Sequence, residues 1–150
     1  MKSAWSRAKP VLLALLVGCA CAKSGDPVRE CLDALVSSAH DRDAAAFFDR
    51  VSADFQAADG SGRADAEATL RRYFAGYEIL DVSIRDVTVE KAADAARVRF
   101  RADLSGQPRK LGGLDAFLPR TSSYDFDLRV VPEGGKWKVA WASWQPHGGG

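Results

Sequence analysis

Two alternating runs near the carboxyl end constrain this chain more than anything else in it. Tyr124-Asp125-Phe126-Asp127-Leu128-Arg129-Val130-Val131 comes before the turn-forming Pro132-Glu133-Gly134-Gly135, and Lys136-Trp137-Lys138-Val139-Ala140-Trp141-Ala142-Ser143-Trp144 comes after it. An apolar–polar period of two is the mark of a half-buried strand. The Pro/Gly break between the runs predicts a β-hairpin. An even-numbered loop sets Val131 opposite Lys136. It then pairs Val130 with Trp137, Leu128 with Val139, Phe126 with Trp141 and Tyr124 with Ser143. One face is almost wholly apolar, and the other carries Asp125, Asp127, Arg129 and Lys138. A slip of one residue would put Trp137 and Trp141 in water, so the rest of the chain has to cover that face.

The covering elements are legible upstream. Asp26-Pro27 opens a helix, with Asp as N-cap and Pro at the first helical position. Val28, Cys31, Leu32, Leu35, Val36 and Ala39 form its apolar stripe. After the polar break His40-Asp41-Arg42-Asp43, a second, short helix is expected from Ala44 to Val51, with Phe47, Phe48 and Val51 turned inward. Ser52 to Phe55 then leads into a polar loop, Gln56 to Arg63. A third helix is expected from about Asp65 to Gly76, with Leu70, Tyr73, Phe74 and Tyr77 along one side and Gly76 as its stop.

Ile79 to Glu90 is rich in β-branched residues, but Val82 and Ile84 share one parity and Val87 and Val89 the other. A bulge near Arg85-Asp86 reconciles them and bends the strand. Arg97 to Leu104 alternates cleanly, and pairing with the hairpin sets Arg99 and Arg101 against Asp125 and Asp127. That row of arginines reads as the solvated face of a sheet rather than as an anion site. The connection from Ser105 to Ser123 is long and contains Gly and Pro. Leu111, Leu114, Phe117 and Leu118 give it something to bury, the pattern of a lid across an opening.

The amino terminus carries Lys2, Arg7 and Lys9 ahead of a short apolar run, Val11 to Val17. This is the layout of a secretory signal, too short for a bilayer-spanning helix. The next residues, Leu16-Val17-Gly18-Cys19, resemble the lipobox of bacterial lipoproteins, whose Cys receives diacylglycerol and becomes the new amino terminus. The resemblance implies a signal peptide over 1–18, lipid attachment at Cys19 and a tether over 19–26. That tether keeps the domain within about 25 Å of the membrane. Ala20, in place of an Asp, implies by resemblance to Gram-negative sorting an outer-membrane lipoprotein facing the periplasm. Removing Lys2, Arg7 and Lys9 from 21 basic residues leaves 18 against 20 acidic ones, with no basic run, so nucleic-acid binding has no footprint. The periplasm permits a disulfide between Cys21 and Cys31. The place of Cys31 on the apolar stripe favours a buried thiol instead.

Three helices followed by a bent meander that ends in a Trp-rich strand resemble the nuclear transport factor 2-like superfamily. The residues that carry the match are Leu70-Arg71-Arg72-Tyr73-Phe74, Ala96-Arg97-Val98, Tyr124-Asp125-Phe126-Asp127-Leu128 and Gly135-Lys136-Trp137-Lys138-Val139 with Trp144. The resemblance is to a bacterial lipoprotein group of that superfamily and covers residues 27–146, leaving 147–150 as a flexible tail. It implies an α+β fold in which three N-terminal helices pack on a curved antiparallel sheet to form a cone. It also implies a homodimer through the sheet face that carries Arg99, Arg129 and Lys138. The fold serves isomerases, dehydratases and hydrolases as well as non-catalytic modules, so it does not choose a function.

Catalytic members of the superfamily place carboxylates or His inside the cone. The inward positions here, Val98, Phe100, Phe126, Leu128, Val139 and Trp141 among them, offer neither. The preferred reading is therefore a non-catalytic module for a small apolar ligand or an envelope protein. Tyr73, Tyr77, Tyr124, Phe126 and Trp141 would line its pocket, with Phe117 near the mouth. The alternative is a cone enzyme using Asp54 or Asp86 with a Tyr as proton donor, which needs the carboxylate inside the cone. No phosphate-cradling Gly motif is present, and His40 and His147 stand apart, so neither a cofactor nor a metal is implied. The anchor has a direct test. Cys19→Ala should move the protein from the membrane fraction to the soluble one, and a variant as firmly bound as wild type would overturn the lipid attachment.

Overall fold

The computed structural model describes residues 25–110 and 119–148. Cys19, Cys21, the signal peptide, most of the tether and Phe117 lie outside the described residues. The elements run α1 (Pro27–His40), α2 (Ala44–Phe48), β1 (Val51–Ala57), α3 (Arg63–Ala75), β2 (Tyr77–Lys91), β3 (Ala96–Pro108), β4 (Thr121–Glu133) and β5 (Lys136–Pro146). The strands form one sheet in the order β1-β5-β4-β3-β2. This is the expected α+β cone: three helices on the concave face of a curved, unclosed sheet.

Local chemistry starts the helices where the sequence indicates. The Asp26 side chain accepts the N–H of Val28 at 3.0 Å, and Asp43 accepts that of Ala46 at 3.0 Å, each satisfying a donor that a helix start leaves unpaired. Val28, Cys31, Leu32 and Leu35 of α1 are buried against the sheet. Their burial pushes the Cys31 thiol up to about 11, since a thiolate has no solvent there. On α3, Phe74 is buried while Leu70 and Tyr73 are half-buried. Tyr77, expected on that helix, lies past the Gly76 cap as the first residue of β2.

Two elements differ from expectation. Residues 51–57, read as a helix end and a loop, form β1, which pairs in parallel with β5 through Val51↔Val139, Gln56↔Trp141 and Ala57↔Ala142. The strand is short and at the sheet edge, and its ladder is interrupted between Val51 and Gln56, so its burial never settles into a period of two. The second difference is the register of the last hairpin. Gly134 and Gly135 both take positive φ, 59° and 80°, and close the turn alone, a geometry that glycine allows and a tight hairpin needs. Pro132 and Glu133 therefore join the ladder, and Val130 pairs with Val139 rather than Trp137. A bulge at Ala140 then shifts the pairing by one more residue. Beyond it, Arg129 pairs with Trp141, Leu128 with Ala142, Phe126 with Trp144 and Tyr124 with Pro146. Trp141, expected inside opposite Phe126, is on the outer face.

The other bulge falls where the parity change in β2 requires it. The β2–β3 ladder shifts between Arg85 and Thr88, and Asp86 takes a positive φ of 56°. The β3–β4 ladder is regular, with Arg99 opposite Asp127 and Arg101 opposite Asp125. Arg101 meets Asp125 at 3.0 Å, but Asp127 is held by Arg97 at 3.0 Å, and Arg99 turns to Glu90. These exposed pairs set register more than stability. The core face holds Val98, Leu128, Val130, Val139 and Ala142, all buried. Leu128→Ala should cost about 2–5 kcal/mol through transfer and cavity terms. Trp141→Ala, on the outer face, should cost only about 1 kcal/mol. Equal shifts of the denaturation midpoint in the two variants would contradict this register.

Candidate functional site

The inner face of the cone brings together tyrosines from a helix, the strand after it and the sheet. Tyr73 sits on the last turn of α3 and Tyr77 opens β2. The change from helix to strand between them sets their rings 5.0 Å apart at 44°. Tyr77 is 1% exposed and its hydroxyl donates to the carbonyl of Pro119 at 2.8 Å. Gly106 on β3 makes room for this ring, since a Cβ there would lie 2.8 Å from it and 2.7 Å from the Ile79 carbonyl. Arg42 donates to the Tyr77 carbonyl at 2.7 Å. Ser122 and Tyr124, on the inner side of β4, lie beside Tyr73. Burial first, and then the adjoining Tyr77 hydroxyl, push the Tyr73 phenol well above its ordinary 10.0, while the Ser122 hydroxyl acts the other way. The ring is held neutral and able to donate.

Next to this cluster an aromatic row crosses three strands at paired positions, Phe100 of β3, Phe126 of β4 and Trp144 of β5. Phe100 and Phe126 stack at 5.2 Å and 11°, Phe126 and Trp144 at 6.4 Å and 30°, and Tyr124 meets the edge of Phe126 at 6.4 Å. Such offset stacks contribute about 0.5–1.5 kcal/mol each beyond burial. Trp144 remains 47% exposed. Of the pocket residues expected from sequence, Tyr73, Tyr77, Tyr124 and Phe126 meet on this inner side, and Trp141 does not. Ser122, Phe100 and Trp144 join them, residues that the sequence pattern does not single out as pocket lining. The clean Arg99/Asp127 register already implies Phe100 opposite Phe126, but nothing short of the bulge at Ala140 reveals Trp144.

The acids lie elsewhere. Asp54 is exposed on β1, and Asp86 is exposed at the β2 bulge, 3.3 Å from Arg101. Among the described residues neither is hydrogen-bonded to a tyrosine, and Asp86 is paired with Arg101 instead. Every Asp and Glu among the described residues is exposed or half-exposed. His40 is exposed, 3.2 Å from Asp81. His147 meets Asp125 at 2.8 Å and its N–H extends the ladder to the Ser123 carbonyl at 2.8 Å. That contact first, and Arg101 after it, hold the Asp125 carboxyl below its usual range. Among the described residues no group of His, Cys, Asp and Glu could hold a metal ion. Arg99, Arg129 and Lys138 share the outer face of the sheet.

No protein-family model and no curated protein matches the chain in sequence. Solved structures match its shape. A candidate scytalone dehydratase from Novosphingobium aromaticivorans superposes with a TM-score of 0.68 at 12% identity, over 80% of this chain and 81% of that one. A candidate dehydratase of the nuclear transport factor 2-like family from Streptomyces avermitilis gives 0.67 at 14% identity, over 80% of this chain and 94% of that one. Bd1075 of Bdellovibrio bacteriovorus gives 0.65 at 11% identity over 79% of this chain, which spans only 40% of that longer protein. The chain has the nuclear transport factor 2-like fold.

The raised Tyr73 phenol has a sign that can be checked. A group that holds its proton more tightly when folded gives stability that is intact below its unfolded value, here 10.0, and is lost as pH rises beyond it toward the folded value. Thermal unfolding should therefore fall more steeply above pH 10 in wild type than in Tyr73→Phe. Identical alkaline profiles would mean that the phenol is not held as described.

Proposed function

We propose that this chain is a lipid-anchored protein of the bacterial envelope whose domain binds a small apolar ligand inside the cone and does not turn it over. What supports the non-catalytic reading above all is the separation of charge. The inner side carries apolar side chains and tyrosine and serine hydroxyls, whereas Asp54, Asp86 and the other described acids lie toward solvent. A dehydratase or isomerase of this fold would need a proton acceptor near the reacting carbon. Tyr73, held neutral, can donate a hydrogen bond but is a poor base at neutral pH. Phe100, Phe126 and Trp144 offer a flat apolar wall, and the tyrosine hydroxyls give a ligand one polar end to orient by.

Anchoring rests on Leu16-Val17-Gly18-Cys19, and the domain is compatible with it. Among the described residues no helix is long and apolar enough to cross a membrane. The chain enters the domain at Asp26, which the Lys91 ammonium holds at 2.7 Å beside the β2–β3 turn. A lipid on Cys19 would keep that end of the domain toward the bilayer.

Titration of the full-length protein with medium-chain alcohols and naphthol tests the binding role. Binding in the cone should shift the tryptophan emission, because Trp144 stacks on Phe126 in its wall, and Phe126→Ala should remove the response. No response to any compound would sink the ligand reading and leave partner binding in its place.

A further inference from the structure

The outer face of the sheet is mostly polar, and Trp141 is the one aromatic residue its described strands present there. Its residues lie in rows at paired positions, and one row reads Glu90 of β2, Arg97 of β3, Arg129 of β4 and Trp141 of β5. The neighbouring row reads Thr88, Arg99, Asp127 and Ser143. Trp141 faces outward only because Ala140 is extruded as a bulge. In a regular ladder the indole would point into the core and Ala142 outward. Bulges of this kind commonly re-aim one side chain near a site. The re-aimed indole, half-buried, forms one wall of a groove of about 500 Å³ that also takes in the β2–β3 turn with Ala92 and Ala95.

The charges of that groove are nearly all matched internally. Glu90 meets Arg99 at 2.6 Å, Asp127 meets Arg97 at 3.0 Å, and Lys91 meets Asp26 at 2.7 Å. Arg129 is the exception, for it has no carboxylate partner among the described residues. It also stands directly opposite Arg97, a like-charge pair that is unfavourable across a ladder. An arriving anion would relieve that repulsion. A guanidinium presents two parallel donors to a carboxylate or phosphate, and the indole beside it offers a flat apolar surface.

We propose that this outer groove is a second binding site, separate from the cone, for a small amphiphile with an anionic head and a flat apolar body. Arg129 would take the carboxylate or phosphate, and Trp141 would pack against the body. Arg97, already neutralised by Asp127, would add a weaker attraction at longer range.

The test follows the indole N–H resonances of the full-length protein, with Trp141 assigned through Trp141→Phe. Benzoate and phenyl phosphate are the probes, benzyl alcohol the uncharged control. The expected result is a saturable shift of the Trp141 signal with either anion, while the signals of Trp137 and Trp144 stay in place, which separates this site from the cone. The apparent affinity should fall about ten-fold, some 1.4 kcal/mol, in Arg129→Gln and stay unchanged in Lys138→Gln. Benzyl alcohol should bind no better than the anions bind Arg129→Gln. The proposal is overturned if the Trp141 signal ignores both anions, or if Arg129→Gln responds as wild type does. Preference for one anion over the other would identify the head as carboxylate or phosphate.

Discussion

The structure depends on the way the last hairpin distributes its residues between two faces. A strand with a strict period of two would give the core whatever lies at alternate positions. Here the turn closes in two glycines and the ladder then loses one residue to a bulge, so the faces exchange part of the way along β5. Val139 and Ala142 both reach the core although two residues lie between them, and the large indole of Trp141 is turned out. This places small Ala142 against Leu128 and lets Trp144 stack on Phe126. The outward place of Trp141 and the inward place of Trp144 both follow from that one extruded residue.

Charge is arranged around the same division. The outer face is a lattice of Arg and Asp in which Arg97–Asp127, Arg101–Asp125 and Arg85–Asp103 recur from row to row. Pairs this exposed contribute at most about 1 kcal/mol each. Their effect is on register, because a slip would set like charges against one another and turn apolar residues outward at once. Among the described residues the inner face has no such lattice. The polar groups that meet there include the hydroxyls of Tyr73, Tyr77, Tyr124 and Ser122 and the carbonyl of Pro119, which Tyr77 meets. Among the described residues the polar groups on this side are neutral, in contrast to the ion pairs of the outer face.

Much of this was readable in advance, for reasons that can be named. The start of α1 followed from Asp26-Pro27, the bend in β2 from the parity change across Arg85-Asp86, and the β3–β4 register from the alternation of Arg and Asp. Each is a local pattern whose energetics are settled by near neighbours. β1 is not legible in the sequence, because an edge strand paired on one side through an interrupted ladder shows no period of two. The apolar spacing of α3 runs past the Gly76 cap without a break, so the pattern puts Tyr77 on the helix although it opens β2 two residues beyond the helix end.

The sequence by itself determined which residues would be apolar and paired, that a hairpin would end the chain, and that helices would cover one side of it. Alternation, capping and turn chemistry are properties of neighbouring residues, and they need no knowledge of the rest of the fold. The tertiary structure alone decided which aromatic faces inward. Trp137, Trp141 and Trp144 stand in one apolar run, and their side of the sheet depends on the length of the turn and on where a residue is extruded. That choice is made by the fit of Ala142 against Leu128, of Trp144 against Phe126 and of β1 along the far edge of β5, contacts between segments that are distant in the chain and meet only in the folded cone.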